Sequence, residues 1–266
     1  MLLTLDRIGP GRYALYVIGV VTAIFLLLPI VFIALLSFGS SQWLQFPPPS
    51  WTLRWYRELF VDPRWVAAFW TSARIATTVM VLSIALGLPV SFALVRGRFR
   101  GRNLLHAFFV SPLIIPVVIL GIGLYAIFLG IGLNGTFPGL VAGHLILALP
   151  FSLVCISNAL QGFDEGIEQA AVICGASPIA AVWRVTLPSI RAGVLSAALF
   201  SFLLSWDEVV LSIFLSGPTW QPISVKIWTS LQLNLSPVIA AVSTILILVT
   251  TLAMGGAYLL RRRIAR

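Results

Sequence analysis

Charge is scarce in this chain. Only 9% of its 266 residues are Asp, Glu, Lys or Arg, against roughly 25% in a soluble domain. With 59% apolar residues, a water-soluble fold would leave large apolar patches exposed, so lipid is the matching solvent. Lysine is nearly absent. The single one, Lys226, follows Val225, whereas a phosphate-binding loop needs lysine after glycine to reach the β- and γ-phosphates. A Walker-type ATPase site is thereby excluded. The two cysteines, Cys155 and Cys174, form no C-x-x-C pair. They exclude a disulfide framework or a cysteine zinc site and read as small packing residues. The two histidines, His106 and His144, are far apart with no carboxylate beside either. Neither an H-E-x-x-H zinc site nor a G-x-S-x-G nucleophile elbow is present, and both histidines read as helix-end or helix-packing residues. No tandem repeat of 20–50 residues stands out.

What the chain does have is long apolar runs. A spanning helix needs roughly 20 mostly apolar residues, and six segments qualify: 13–38, 67–95, 104–131, 139–160, 192–217 and 237–260. The first exceeds the roughly 7–15 residues of a signal-peptide core, so it is expected to remain as a membrane helix. The expectation is an all-α integral membrane protein, one transmembrane domain over 1–266. Between the first two runs, Pro47, Pro48 and Pro49 impose an extended turn. After them, 53–60 has the mixed basic and aromatic pattern of a short interfacial helix. Asn134 to Pro138 reads as a tight reversal.

The net charge of +9 lies in short clusters between the apolar runs rather than in one face, which points to membrane topology and not to nucleic acid. With the N-terminus in the cytoplasm, twelve of the 17 basic residues fall on that side: Arg7, Arg12, Arg96, Arg98, Arg100, Arg102, Arg184, Arg191, Arg261, Arg262, Arg263 and Arg266. Arg54, Arg57, Arg64, Arg74 and Lys226 fall on the other. The bias places both termini and the polar segment 161–191 inside.

That segment includes FDEGIEQAAVICGASPIAAVWRVTLPSIR, residues 163–191. A short helix over 165–174 carries its acids near the positive end. Gly175 permits the left-handed turn that ends it. Ser177 and Pro178 are an N-cap and a first helical residue, opening a second short helix over 178–185. Ala170, Ala171, Ala176, Ala180 and Ala181 are small enough to let another surface come close.

Gln169-Ala170-Ala171, then Gly175, then Val185-Thr186-Leu187-Pro188 resembles the signature loop of binding-protein-dependent ABC permeases: E-A-A, three residues, Gly, about nine residues, then hydrophobic-x-Leu-Pro. Gln169 stands at the family's glutamate position, and Glu168 precedes it. The resemblance extends over the whole chain. Ser205-Trp206-Asp207-Glu208-Val209-Val210 and Phe214-Leu215-Ser216-Gly217-Pro218, with a short N-terminus, are similar to the spermidine/putrescine permease subgroup. The resemblance implies a type I ABC importer permease fold of six transmembrane helices whose cytoplasmic loop is a coupling helix. It implies docking on an ATPase subunit through Glu168, Gln169, Ala170, Ala171, Gly175, Ala176, Ser177 and Pro178. It also implies an ATPase dimer that binds ATP and Mg, a second related permease, and an extracytoplasmic solute-binding protein docking at 39–66, 133–138 and 218–236. The chain itself would carry no cofactor and would lie in a bacterial inner membrane, passing a small solute such as putrescine or spermidine, or another solute, by alternating access. A secondary transporter, the competing reading, would favour inverted repeats and broken ion-binding helices.

Asp207 and Glu208 are acids inside the fifth apolar run. At 1.5 Å per residue, Asp207 lies roughly 22 Å along a helix from residue 192. Charge at membrane depth is costly and faces a cavity or a partner. Two uses fit: attraction of a cationic amine in the pathway, with Trp206 as a cation–π surface, or a structural pairing. Pro89, Pro112, Pro116 and Pro150 are expected to kink helices, and the pairs Gly121/Gly123 and Gly130/Gly132 to let helices pack closely.

Overall fold

The computed structural model describes residues 11–233 and 236–264; Arg7 and Arg266 of the basic set lie outside them. The elements are α1 (Gly11–Leu36), α2 (Arg54–Val61), α3 (Pro63–Arg96), α4 (Arg102–Val110), α5 (Val117–Gly130), α6 (Phe137–Gln161), α7 (Glu165–Ile173), α8 (Pro178–Ala181), α9 (Leu187–Ser189), α10 (Arg191–Asp207), α11 (Val210–Leu215), α12 (Ile223–Leu233) and α13 (Val238–Ile264). Among the described residues the only β pairing is an isolated bridge between Gly39 and Trp51. Among the described residues four helices are long and apolar enough to cross a membrane unaided: α1, α3, α6 and α13. Two bent pairs raise the number to six if each is one span.

Breaks correct two expected spans. The run 104–131 is not one helix: α4 and its short 3-10 extension Ser111–Leu113 meet α5 at 102°. Pro112 and Pro116 are the cause, because each lacks an N–H and Pro116 biases the residue before it away from the α region. The run 192–217 is broken as well. α10 ends at Asp207, Glu208 is extended (φ −72°, ψ 111°), and α11 restarts at Val210. Residues 178–189 form a separate helical piece at 71° to α10. Its widened turn, Val182–Thr186, lies just ahead of Pro188, whose ring would meet the Arg184 carbonyl in a regular α-helix. α12 lies inside a segment that carries no spanning run and was not expected from the sequence.

The described residues gather into two compact units: those up to Asp62 with Ser230–Leu248, and Pro63–Thr229 with Val249 onward. In the first, α2 buries Trp55 and Leu59, as its amphipathic pattern predicts. Trp55 Nε1 donates to the Gly39 carbonyl at 2.6 Å, and the Ser37 and Tyr56 hydroxyls meet at 2.6 Å.

In the second unit α3, α6 and α10 pack most extensively on one another. Small residues set their approach, as expected where lipid supplies no hydrophobic contrast. A Cβ on Gly193 would stand 2.3 Å from that of Ala159, and one on Gly87 3.1 Å from Ser152 Oγ. Of the four expected close-packing glycines only Gly121 is crowded, by the Phe214 ring at 2.6 Å; Gly123, Gly130 and Gly132 face open space.

The break after α10 has no proline or glycine. Side chains hold it instead. Glu208 Oε1 accepts the Leu211 N–H at 2.8 Å, capping α11. The Glu208 carbonyl accepts from Ser212 Oγ at 2.8 Å and from Ser224 Oγ at 3.0 Å. His144, 1% exposed on α6, reaches both sides of the break: Nδ1 is 2.9 Å from Ser205 Oγ and Nε2 is 2.9 Å from Ser212 Oγ. A carbonyl only accepts, so the Ser212 proton points to Glu208 and Nε2 must donate to Ser212. A ring protonated on Nε2 therefore completes a directed chain, Ser205 to Nδ1 and Nε2 to Ser212 to Glu208. His144→Phe keeps the ring volume and removes both bonds. It is expected to destabilise the protein by about 1–2 kcal/mol, seen as a lower thermal midpoint in detergent. His144→Gln, with one donor and one acceptor, should recover part of the loss. An unchanged midpoint for His144→Phe would contradict the brace.

Candidate functional site

The polar loop is built by local capping. Asp164 Oδ1 accepts the Gly166 N–H at 2.9 Å and starts α7, with Glu165 and Glu168 in the first turn. At the far end Gly175 has φ +97°. Its N–H reaches the Val172 carbonyl at 2.9 Å, and the Ala176 N–H reaches Ala171 at 3.0 Å. This is the Schellman closure that a left-handed glycine provides. Ser177 Oγ then accepts the Ala180 N–H at 3.2 Å, and Pro178 opens α8. The turn chemistry read from the sequence is present throughout.

The loop has two faces. Ala181 and Thr186 are buried, so they point into the protein. Gln169, Ala170, Gly175, Ser177 and Pro178 are exposed, and Ala171 and Ala176 are half-buried. Beside them stand bare apolar side chains: Ile173 is 86% exposed, Ile179 74% and Trp183 67%. Isolated exposed apolar residues are common, but several on one short loop mark a surface that another molecule covers. The sequence reading passed over these three.

Glu168 belongs to the inner face. Its Oε2 is 2.7 Å from Arg96 Nη1, where α3 ends, and accepts a hydrogen bond from Thr186 Oγ1. Glu165 Oε1 is 3.5 Å from Arg96 Nε. The guanidinium lies over the rings of Phe92, at 5.0 Å, and Phe163, at 5.8 Å. Partial burial pushes the Glu168 carboxyl up, but the hydrogen bonds from Thr186 and Arg96 and the arginine's charge outweigh it and hold it below the ordinary range. With the folded-state value depressed, this contribution to stability is complete above the ordinary glutamate pKa. It is lost as pH falls through the depressed value. Arg96 entered the sequence reading only as a topology charge.

At the other candidate site the structure separates three neighbours. Trp206 is buried at 5% exposure, stacked on Phe202 at 5.7 Å and edge-on to Phe69 at 5.4 Å. It presents no free face to a cation, which corrects the expected cation–π role. Glu208 is half-buried and spends its carboxylate on the α11 cap. Because the helix breaks there, the two acids are not successive positions of one helix. Asp207, the last residue of α10, is exposed and forms no ion pair among the described residues. No cluster of metal-ligating side chains occurs among the described residues.

The profile of the family described as "Binding-protein-dependent transport system inner membrane component" matches residues 80–266. The putrescine transport system permease protein PotI of Escherichia coli K12 is 31% identical over 90% of this chain and 86% of its own length. The spermidine/putrescine transport system permease protein PotC of the same strain is 29% identical over 92% and 93%. Among solved structures, a chain of a bacterial ABC transporter involved in import of the acidic polysaccharide alginate superposes with a TM-score of 0.76. It covers 99% of this chain and 98% of that one at 17% identity, a likeness of fold. The signature loop, the long apolar helices and these matches converge: the chain belongs to the binding-protein-dependent inner membrane components, the multi-pass permease subunits of ABC importers.

Proposed function

We propose that this permease passes a polyamine, putrescine or spermidine, across a bacterial inner membrane. The observation that carries the reading is its similarity to PotI and PotC over nine-tenths of the chain. The site adds a physical reason. An exposed carboxylate at membrane depth is costly unless it faces a pathway or a partner, and Asp207 is such a group. It would attract the ammonium groups of a passing amine.

The chain works as a single transmembrane subunit beside a second, related permease, with both termini cytoplasmic. An extracytoplasmic protein delivers the solute. The chain has no ATPase site of its own; a partner ATPase dimer binds ATP and Mg. The exposed face of the loop, with Gln169, Ala170, Ala171, Gly175, Ala176, Ser177 and Pro178 and the apolar Ile173, Ile179 and Trp183, docks on one ATPase. Closure of the dimer moves the loop and turns the pathway outward.

Two experiments test this. In cells with the complete set of subunits, uptake of labelled putrescine is expected to disappear on deletion of this chain. Asp207→Asn should lower it by roughly tenfold, an energy of about 1.4 kcal/mol at the pathway. Uptake unchanged by the deletion, with no other polyamine importer active, removes the polyamine reading. Separately, Gly175→Arg forces a bulky charge onto a left-handed residue in the docking face. It should abolish co-purification of the ATPase; normal co-purification would remove the docking reading.

A further inference from the structure

We propose that Arg96 is a positioning residue that ties the loop to the end of α3, so that movement of the loop is delivered to that helix. The chain itself joins the loop only to α6 and α10. α3 has no covalent link to it. Its charged link is Arg96, the last residue of α3, and three separate elements meet there. α3 supplies the guanidinium. α7 supplies Glu165 and Glu168, three residues apart and therefore on one helix face. The widened turn Val182–Thr186 supplies Thr186, which bonds the same Glu168 oxygen as the arginine.

The quality of the link varies with burial. The Arg96 and Glu168 side chains are 18% and 19% exposed, whereas Glu165 is 58% exposed and its pair is longer, at 3.5 Å. Exposed pairs contribute little; a sheltered pair with an added hydrogen bond and rings against the guanidinium resists separation. The strut is therefore Arg96–Glu168, and Glu165 is accessory. Thr186 lies in the one widened turn of the loop, so the strut clamps both halves of the loop to α3. None of these groups is on the exposed docking face. Breaking the strut should leave the ATPase attached while the two movements lose step.

The inference rests on the docking reading above, and the two fail differently. In complexes reconstituted into vesicles, Arg96→Gln and Glu168→Gln should retain the ATPase in wild-type amounts. The putrescine imported per ATP hydrolysed should fall roughly 2- to 30-fold, the span of coupling changes seen along such networks. The exchanged pair Arg96→Glu with Glu168→Arg, made with Glu165→Gln to remove the repulsion that Glu165 would otherwise cause, should raise the ratio above either single change. If the single variants do not accumulate in the membrane, Thr186→Val, which removes one bond at constant size, should show a smaller drop. A wild-type ratio in Arg96→Gln, or in Thr186→Val where that stands in, overturns the strut, as does an exchange that recovers nothing. Loss of the ATPase from Gly175→Arg, with Arg96→Gln unaffected, keeps the docking and removes the strut. If the wild-type complex accumulates no putrescine, the polyamine reading falls alone, and the same ratio is taken with whichever solute of a panel it does accumulate.

Discussion

In the hydrocarbon layer no water is present to satisfy a backbone N–H or C=O, so every interruption of a helix must be repaired from within the protein. That constraint governs the fifth apolar run. The carbonyl freed where α10 stops is met by Ser212 and Ser224, the Leu211 N–H in the first turn of α11 by Glu208, and the two flanking serines by the ring of His144. The same network reaches α12, whose Ile223 N–H donates to Ser72 on α3 at 2.9 Å. A break that would be intolerable alone becomes a fixed feature. It leaves Asp207 at a helix end with its carboxylate open.

The loop outside the apolar layer is stiff for a different reason. Its two short helices would be marginal in isolation. An Asp cap, a left-handed glycine closure and a Ser-Pro start define their ends, and Arg96 fixes them to the membrane helices. The outer face carries the exposed side chains of Ile173, Ile179 and Trp183. A stiff inner attachment with a bare outer face is what a part needs if a partner is to push on it and the push is to arrive elsewhere.

Much of this was legible in the residues. Apolar runs marked α1, α3, α6 and α13 to within a few positions, and the loop's turns were readable because Gly175, Ser177 and Pro178 each have a strong local preference; the Asp164 cap emerged only with the structure. The break at 111–116 was half legible: Pro112 and Pro116 signalled a kink, but not a turn of 102°. The break at Glu208 was hidden, because the residues that stabilise it, His144 and Ser224, are distant in sequence and Val209-Val210 looks like ordinary helix. For the same reason Trp206 read as available and Glu168 as outward-facing; partners 137 and 72 positions away decide both, Phe69 and Arg96.

Coupled transport as proposed here turns on contact between the loop's outer face and the ATPase. Cys174, exposed between Ile173 and Gly175, allows this to be measured with a native side chain. Benzophenone maleimide attached there, with Cys155 replaced by Ser, should on illumination join this chain to the ATPase in the assembled, active complex. The yield should collapse when Ile173 and Trp183 are changed to Asp. An active complex that gives no such product, with the label confirmed on Cys174, would contradict the account.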